Sequence, residues 1–186
     1  MMASGWWLEL VRVGALPPSV MVDLREDLAS LLHSEVQISA SVLDPDPALD
    51  LERRQYLATE LLERLLDPPP APGARRIAVA AVDLFLPVFT HVFGTAQLDG
   101  QVGVASLFRL RPEFSGAPQD AGRLRGRLLK EVLHELGHTF GLVHCRLPWC
   151  VMAASRLPEH IDLKDSHFCG ACAPHLAPSC ATEVIS

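Results

Sequence analysis

The sequence predicts an α/β domain: a twisted, mostly parallel sheet with one antiparallel edge strand, a long helix and a metal-stapled, cysteine-rich C-terminal subdomain. Three observations carry this. Strand-like and helix-like segments alternate through the N-terminal two-thirds, the pattern of a sheet with crossover helices. Asp99-Gly100 separates two apolar runs, which is a hairpin signal. Four of the five cysteines form two close pairs, Cys145/Cys150 and Cys169/Cys172, in a tail with little periodicity. At 186 residues the chain suits a single domain. We divide it into 1–141, sheet and helix, and 142–186, the cysteine-bearing subdomain.

The elements follow in order. Trp6 to Val13 is apolar with partial alternation and reads as a strand. Pro17-Pro18 breaks it, and Ser19 is the expected cap of a helix to about His33. Val36 to Val42 alternates as a half-buried strand, ended by Asp44-Pro45-Asp46-Pro47. Leu57, Leu61, Leu62, Leu65 and Leu66 form a stripe at helical spacing, predicting a helix over 51–66. The prolines at 68, 69, 70 and 72 then force a loop. Arg76 to Leu86 is almost continuously apolar, as in a strand buried on both faces. The runs Val92–Leu98 and Val102–Leu110 form the expected hairpin. A helix capped near Asp120 then runs to about Phe140.

Composition excludes several classes of function. With 49% hydrophobic and 20% charged residues the chain is expected to fold. A net charge of −6 argues against binding nucleic acid by bulk attraction to phosphate. No apolar run approaches the ~18–20 residues of a membrane span. The N-terminus lacks the basic start of a secretory signal, so a cytoplasmic location with reduced thiols is expected. No inhibitory pro-segment is evident, since the strand pattern starts almost at once.

The chemistry concentrates in His134-Glu135-Leu136-Gly137-His138-Thr139-Phe140-Gly141-Leu142-Val143-His144, or HExxHxxGxxH. His134 and His138, four apart, leave one helix face a turn apart, close enough for two ring nitrogens to meet one Zn²⁺. Gly141 is free to adopt positive φ, end the helix and turn the chain so that His144 returns to the same metal. Three histidines leave a fourth position open for water, as in a catalytic zinc site. Glu135 is rotated ~100° from His134. It is placed to act as general base on that water and then as general acid to a leaving amine. Given the chain's own composition, a chance match is on the order of 5 × 10⁻⁵, so the motif is read as functional rather than as buried histidines.

In a reducing compartment the pairs Cys145/Cys150 and Cys169/Cys172 read as a tetrahedral structural zinc site before disulfides. Cys180 reads as an ordinary small apolar residue. Because Cys145 follows His144 directly, an ion fixing the first also braces the second.

The stretch HELGHTFGLVHCRLPWCVM, with CGAC downstream, resembles the archaemetzincin family of metzincin zinc peptidases. The likeness runs from about Trp6 to the end. It implies a compact metzincin-like domain with a long active-site helix. It also implies that Met152 is the methionine of a turn beneath the zinc histidines, and that a second zinc sits on Cys145, Cys150, Cys169 and Cys172. Two departures stand out. Sixteen residues separate Met152 from Cys169, one fewer than the family pattern, and Ala154 stands where some other metzincins place a tyrosine. The oxyanion stabiliser is therefore unassigned.

The expectation is a zinc-dependent peptidase with two zinc ions per chain, working as a monomer on short peptides, with aminopeptidase action as one form. The rival expectation is a catalytically weak zinc-binding protein that binds peptides on the same scaffold. Arg123, Arg125, Arg127 and Lys130 read as a solvated helix face. His91, His160, His167 and His175 read as surface or supporting residues. Trp149 and Phe140 read as core packing before pocket lining.

Overall fold

In a computed structural model, residues 5–176 are described. The principal sheet has five strands: β1 (Trp7–Val13), β2 (Val36–Leu43), β5 (Ala74–Ala80), β7 (Gly94–Ala96) and β8 (Val102–Ser106). Their order is β2-β1-β5-β8-β7. All pairs are parallel except β7 with β8, so the Asp99-Gly100 hairpin supplies the antiparallel edge strand. Asp99 takes a positive φ of 54° at that turn and donates its backbone N–H to the His138 carbonyl at 3.0 Å. The hairpin tip is thereby tied to the end of the long helix.

Side-chain alternation in the central strands sorts residues to two helical layers. Leu8, Leu10, Ile77, Val79 and Ala105 face helices α1 (Pro18–Leu32) and α3 (Ala121–Thr139). Val11, Val13, Ala78, Ala80 and Val104 face helix α2 (Ala58–Leu65) with its buried Leu61, Leu62 and Leu65. A central sheet covered on both faces accounts for the continuous apolar run of β5. The short helix α4 (Pro158–Asp162) packs against α3, which brings the C-terminal segment under the main helix.

Four details differ from the sequence reading. The helix predicted over 51–66 begins only at Ala58. The Asp50 carboxylate accepts from the N–H groups of Glu52 and Arg53 at 3.0 and 2.9 Å, making a turn that competes with helix. Leu51 is left exposed. Second, Gln55–Leu57 forms strand β4 of an unforeseen three-stranded sheet with β3 (Leu49–Asp50) and β6 (Leu84–Phe85). Third, α1 is capped at Pro17 with Pro18 at its first position, and Ser19 lies inside it. Fourth, Arg127 does not face solvent. It is buried, donates to both oxygens of Asp162 at 2.8 and 2.6 Å and to the Leu110 carbonyl at 2.9 Å, and pins α4 to α3.

Candidate metal centre

Helix α3 starts where Asp120 accepts the Arg123 N–H at 2.9 Å. It ends in a turn whose hydrogen bonds are those of a Schellman motif. Gly141 N–H donates to the His138 carbonyl at 3.0 Å and Leu142 N–H to the Gly137 carbonyl at 3.1 Å. Gly141 has φ +79°, a conformation that a side chain would strain. The chain reverses there and carries His144 back to His134 and His138. The ligand atoms of these three histidines all lie within 4.8 Å of one another.

Two backbone carbonyls orient the rings. His134 Nδ1 lies 2.8 Å from the Val151 oxygen and His138 Nδ1 lies 2.7 Å from the Leu142 oxygen. A carbonyl only accepts, so each Nδ1 carries the hydrogen. Burial, first among the causes, holds all three histidines below their usual pKa and so neutral; Lys164 adds to this. Each Nε2 of the first two rings therefore presents a lone pair. Those two nitrogens face each other at 3.1 Å. Lone pairs opposed at that distance repel, and a cation between them removes the repulsion. A tetrahedral zinc with ~2.0–2.1 Å bonds sets its nitrogens about 3.3 Å apart. The donor set fits the ion.

Glu135 is buried beside these rings, and its Oε2 has no hydrogen-bond partner. Strand glycines leave it space: a Cβ at Gly94 would lie 2.6 Å from Glu135 Oε1 and 2.7 Å from the Val104 carbonyl oxygen. Burial raises the Glu135 carboxyl well above its ordinary pKa, Glu131 raises it further, and Lys164 opposes both. Burial likewise pushes Glu131 up to about 7, against the pull of Lys164. Met152 is fully buried under the helix, where Gly137 gives it room: a Cβ at Gly137 would lie 3.1 Å from Met152 Cε, and closer still to its sulfur.

The four sulfurs of Cys145, Cys150, Cys169 and Cys172 form a second group, also within 4.8 Å of one another. Cys145 and Cys169 Sγ are 3.8 Å apart, far beyond a disulfide bond and close to the ~3.8 Å edge of a tetrahedron with 2.3 Å Zn–S bonds. Cys145 N–H donates to the Met152 carbonyl at 2.9 Å, so this cluster and Met152 are tied together through the backbone. Cys180 lies outside the described residues.

The histidines open onto a cavity of about 910 Å³. One wall is β7; Leu98, Val143 and Phe89 add exposed apolar surface. His91, read from sequence as a surface or supporting residue, lines this cavity, whereas Trp149 does not. Phe140 packs edge-on against Trp6, ring centroids 4.9 Å apart. The sequence reading also passed over Glu131 and Lys164, which line the cavity too. Glu131 was visible as a second acid one turn before Glu135; nothing local marked Lys164.

Residues 42–177 match peptidase family M54. The chain belongs to that family. It is 38% identical over 168 residues to the archaemetzincin of Natronomonas pharaonis, covering 89% of this chain and 96% of that one. Over 126 residues it is 44% identical to the archaemetzincin of Pyrococcus horikoshii, 67% of each. Among solved structures it resembles a zinc-dependent peptidase from Methanocorpusculum labreanum at 30% identity and TM-score 0.83, covering 91% and 99% of the two chains. The archaemetzincin of Methanopyrus kandleri gives 31% identity and TM-score 0.76, covering 92% and 94%. As a member of family M54, the chain is a zinc-dependent peptidase.

Proposed function

We propose that this M54 peptidase cleaves short peptides with zinc held by His134, His138 and His144, Glu135 serving as general base and then general acid. The observation that carries the reading is the pair of opposed Nε2 lone pairs at 3.1 Å in the same cavity lining as Glu135, whose Oε2 is unpartnered. Bound there, zinc would supply a Lewis acid that acidifies water and polarises the scissile carbonyl. Glu135 takes a proton from water at its carboxylate and passes it to the amine nitrogen as the peptide bond breaks, so the proton count balances. The edge strand β7 offers backbone groups for an extended peptide to pair with, and the apolar flank of Leu98 and Val143 favours apolar side chains. Met152 packs as the floor beneath the histidines. The cysteine group holds a second, structural zinc.

On this reading the chain works as a monomer in the cytoplasm. Among the described residues no helix is long and apolar enough to cross a membrane. Aminopeptidase action needs an anion for the free amine, and Glu131 is the carboxylate that the cavity offers beside Glu135.

Metal analysis of the purified chain should give two zinc ions. Glu135→Ala should keep both and lose hydrolysis of a peptide library. Unchanged hydrolysis by Glu135→Ala refutes the assignment of the base. Equal cleavage of free and N-acetylated peptides removes the aminopeptidase form.

A further inference from the structure

Helix α3 carries two carboxylates a turn apart, Glu131 and Glu135, 5% and 2% exposed, each with Oε2 lacking a hydrogen-bond partner. Buried carboxyls of this kind hold a proton or need a positive charge nearby. Lys164, 3% exposed, enters from the segment after α4. Its Nζ donates to the Val151 oxygen at 3.2 Å, the same carbonyl that takes the His134 Nδ1 hydrogen. It lines the cavity together with Glu131, His134 and Glu135. The buried ammonium has a place in the site but no role in the reaction derived above.

We propose that Lys164 is a buried cation beside Glu131 and Glu135, out of direct ion-pair contact with either, that lets the centre stand without metal and, in doing so, weakens the hold of the three histidines on zinc. This rests on the reading that His134, His138 and His144 hold zinc. With the ligands neutral and both carboxyls ionised, the local charge is that of two carboxylates and one ammonium. Adding a divalent ion takes it from −1 to +1. Without Lys164 the same step runs from −2 to 0. Removing a fixed cation favours entry of another, and protonation of either carboxylate does not reverse that sign. Lys164 acts through its field and through the Val151 carbonyl, never by touching the metal.

A merely structural lysine predicts the opposite direction. Losing a group that orients a ligand's hydrogen-bond partner typically weakens metal binding by about 10–100-fold. The decisive measurement is zinc affinity at the histidine site, by competition with a chelator in the full-length protein, with melting curves for metal-free and zinc-loaded forms. Lys164→Met should bind zinc about tenfold tighter, melt lower without metal and gain more on zinc addition. Equal or weaker binding overturns the proposal. Should Lys164→Met fail to fold, Glu131→Gln carries the test: with Lys164 in place it should bind zinc about tenfold more weakly, and unchanged or tighter binding overturns the proposal. His138→Ala identifies the site. If wild-type protein binds no zinc that His138→Ala loses, the metal reading itself fails, a result distinct from a wild-type site unaffected by Lys164→Met.

Discussion

Gly94→Ala would test how Glu135 is seated. A Cβ there would come within 2.6 Å of Glu135 Oε1 and 2.7 Å of the Val104 backbone oxygen. Ordinary carbon–oxygen contact is roughly 3.2–3.3 Å, so one neighbour or the other must yield about 0.6 Å. The Val104 oxygen belongs to β8, which is buried throughout, so the carboxylate and the edge strand move instead. Overpacking of this kind costs about 1–3 kcal/mol, or roughly 2–12 °C in Tm for a chain of this size. Displacing a reacting group by a fraction of an ångström to one ångström lowers kcat by about 10–100-fold. The atoms nearest this Cβ belong to Glu135 and Val104 and not to a histidine, so zinc content should stay normal. Peptide turnover, zinc content and Tm on the same preparation check all three. Gly94→Ala/Glu135→Asp, with its shorter side chain, should recover part of the stability but not turnover, since the Val104 contact remains. Full turnover by Gly94→Ala would refute the argument that this glycine positions the base.

The Arg127–Asp162 pair should respond unequally to truncation. Asp162→Ala strands a guanidinium whose side chain is 2% exposed and should cost about 3–5 kcal/mol; Arg127→Met leaves a carboxylate 35% exposed and should cost about 1–2 kcal/mol. Urea unfolding of each variant checks this, and equal costs would contradict the burial argument. Hydrogen bonding from Arg127, foremost, holds the Asp162 carboxyl below its usual pKa. Its contribution is therefore full above the unfolded value of about 3.9 and is lost as pH falls through the lower folded value, so Arg127→Met should flatten the acid limb of stability against pH. Chelator should strip the histidine group before the four thiolates, since neutral imidazoles hold zinc less firmly; simultaneous loss of both ions by metal analysis would contradict this. Gly137→Ala gains about 1 kcal/mol in helix propensity yet drives a Cβ into the buried Met152 side chain, so its Tm should fall; a rise would show that Met152 yields freely.

What was legible in the sequence was local. One helical turn and one glycine turn decide where His134, His138 and His144 go, and the eleven residues from His134 to His144 contain both devices. The Asp120 cap and the Asp99-Gly100 hairpin were readable for the same reason. What escaped depends on distant pairings. Arg127 looks like a surface residue until Asp162, 35 positions on, is folded against it. Lys164 is one lysine in a polar tail until α4 docks on α3. The leucine stripe over 51–66 has helical spacing, but Asp50 diverts its first turn and pairing with β3 and β6 draws Gln55–Leu57 into a strand. Gly94 and Gly137 carry no signal of their own, because the space they leave is filled by Glu135 and Met152 from elsewhere in the chain.

His144 and Cys145 are consecutive, one in each side-chain group. On the proposed reading, an oxidant that converted Cys145 to a sulfenic acid would attack a structural ligand that takes no part in hydrolysis, yet the damage would sit one peptide unit from an imidazole of the proposed catalytic site. Inactivation by peroxide, reversed by thiol reductant, would then arise without modification of any group that handles the peptide.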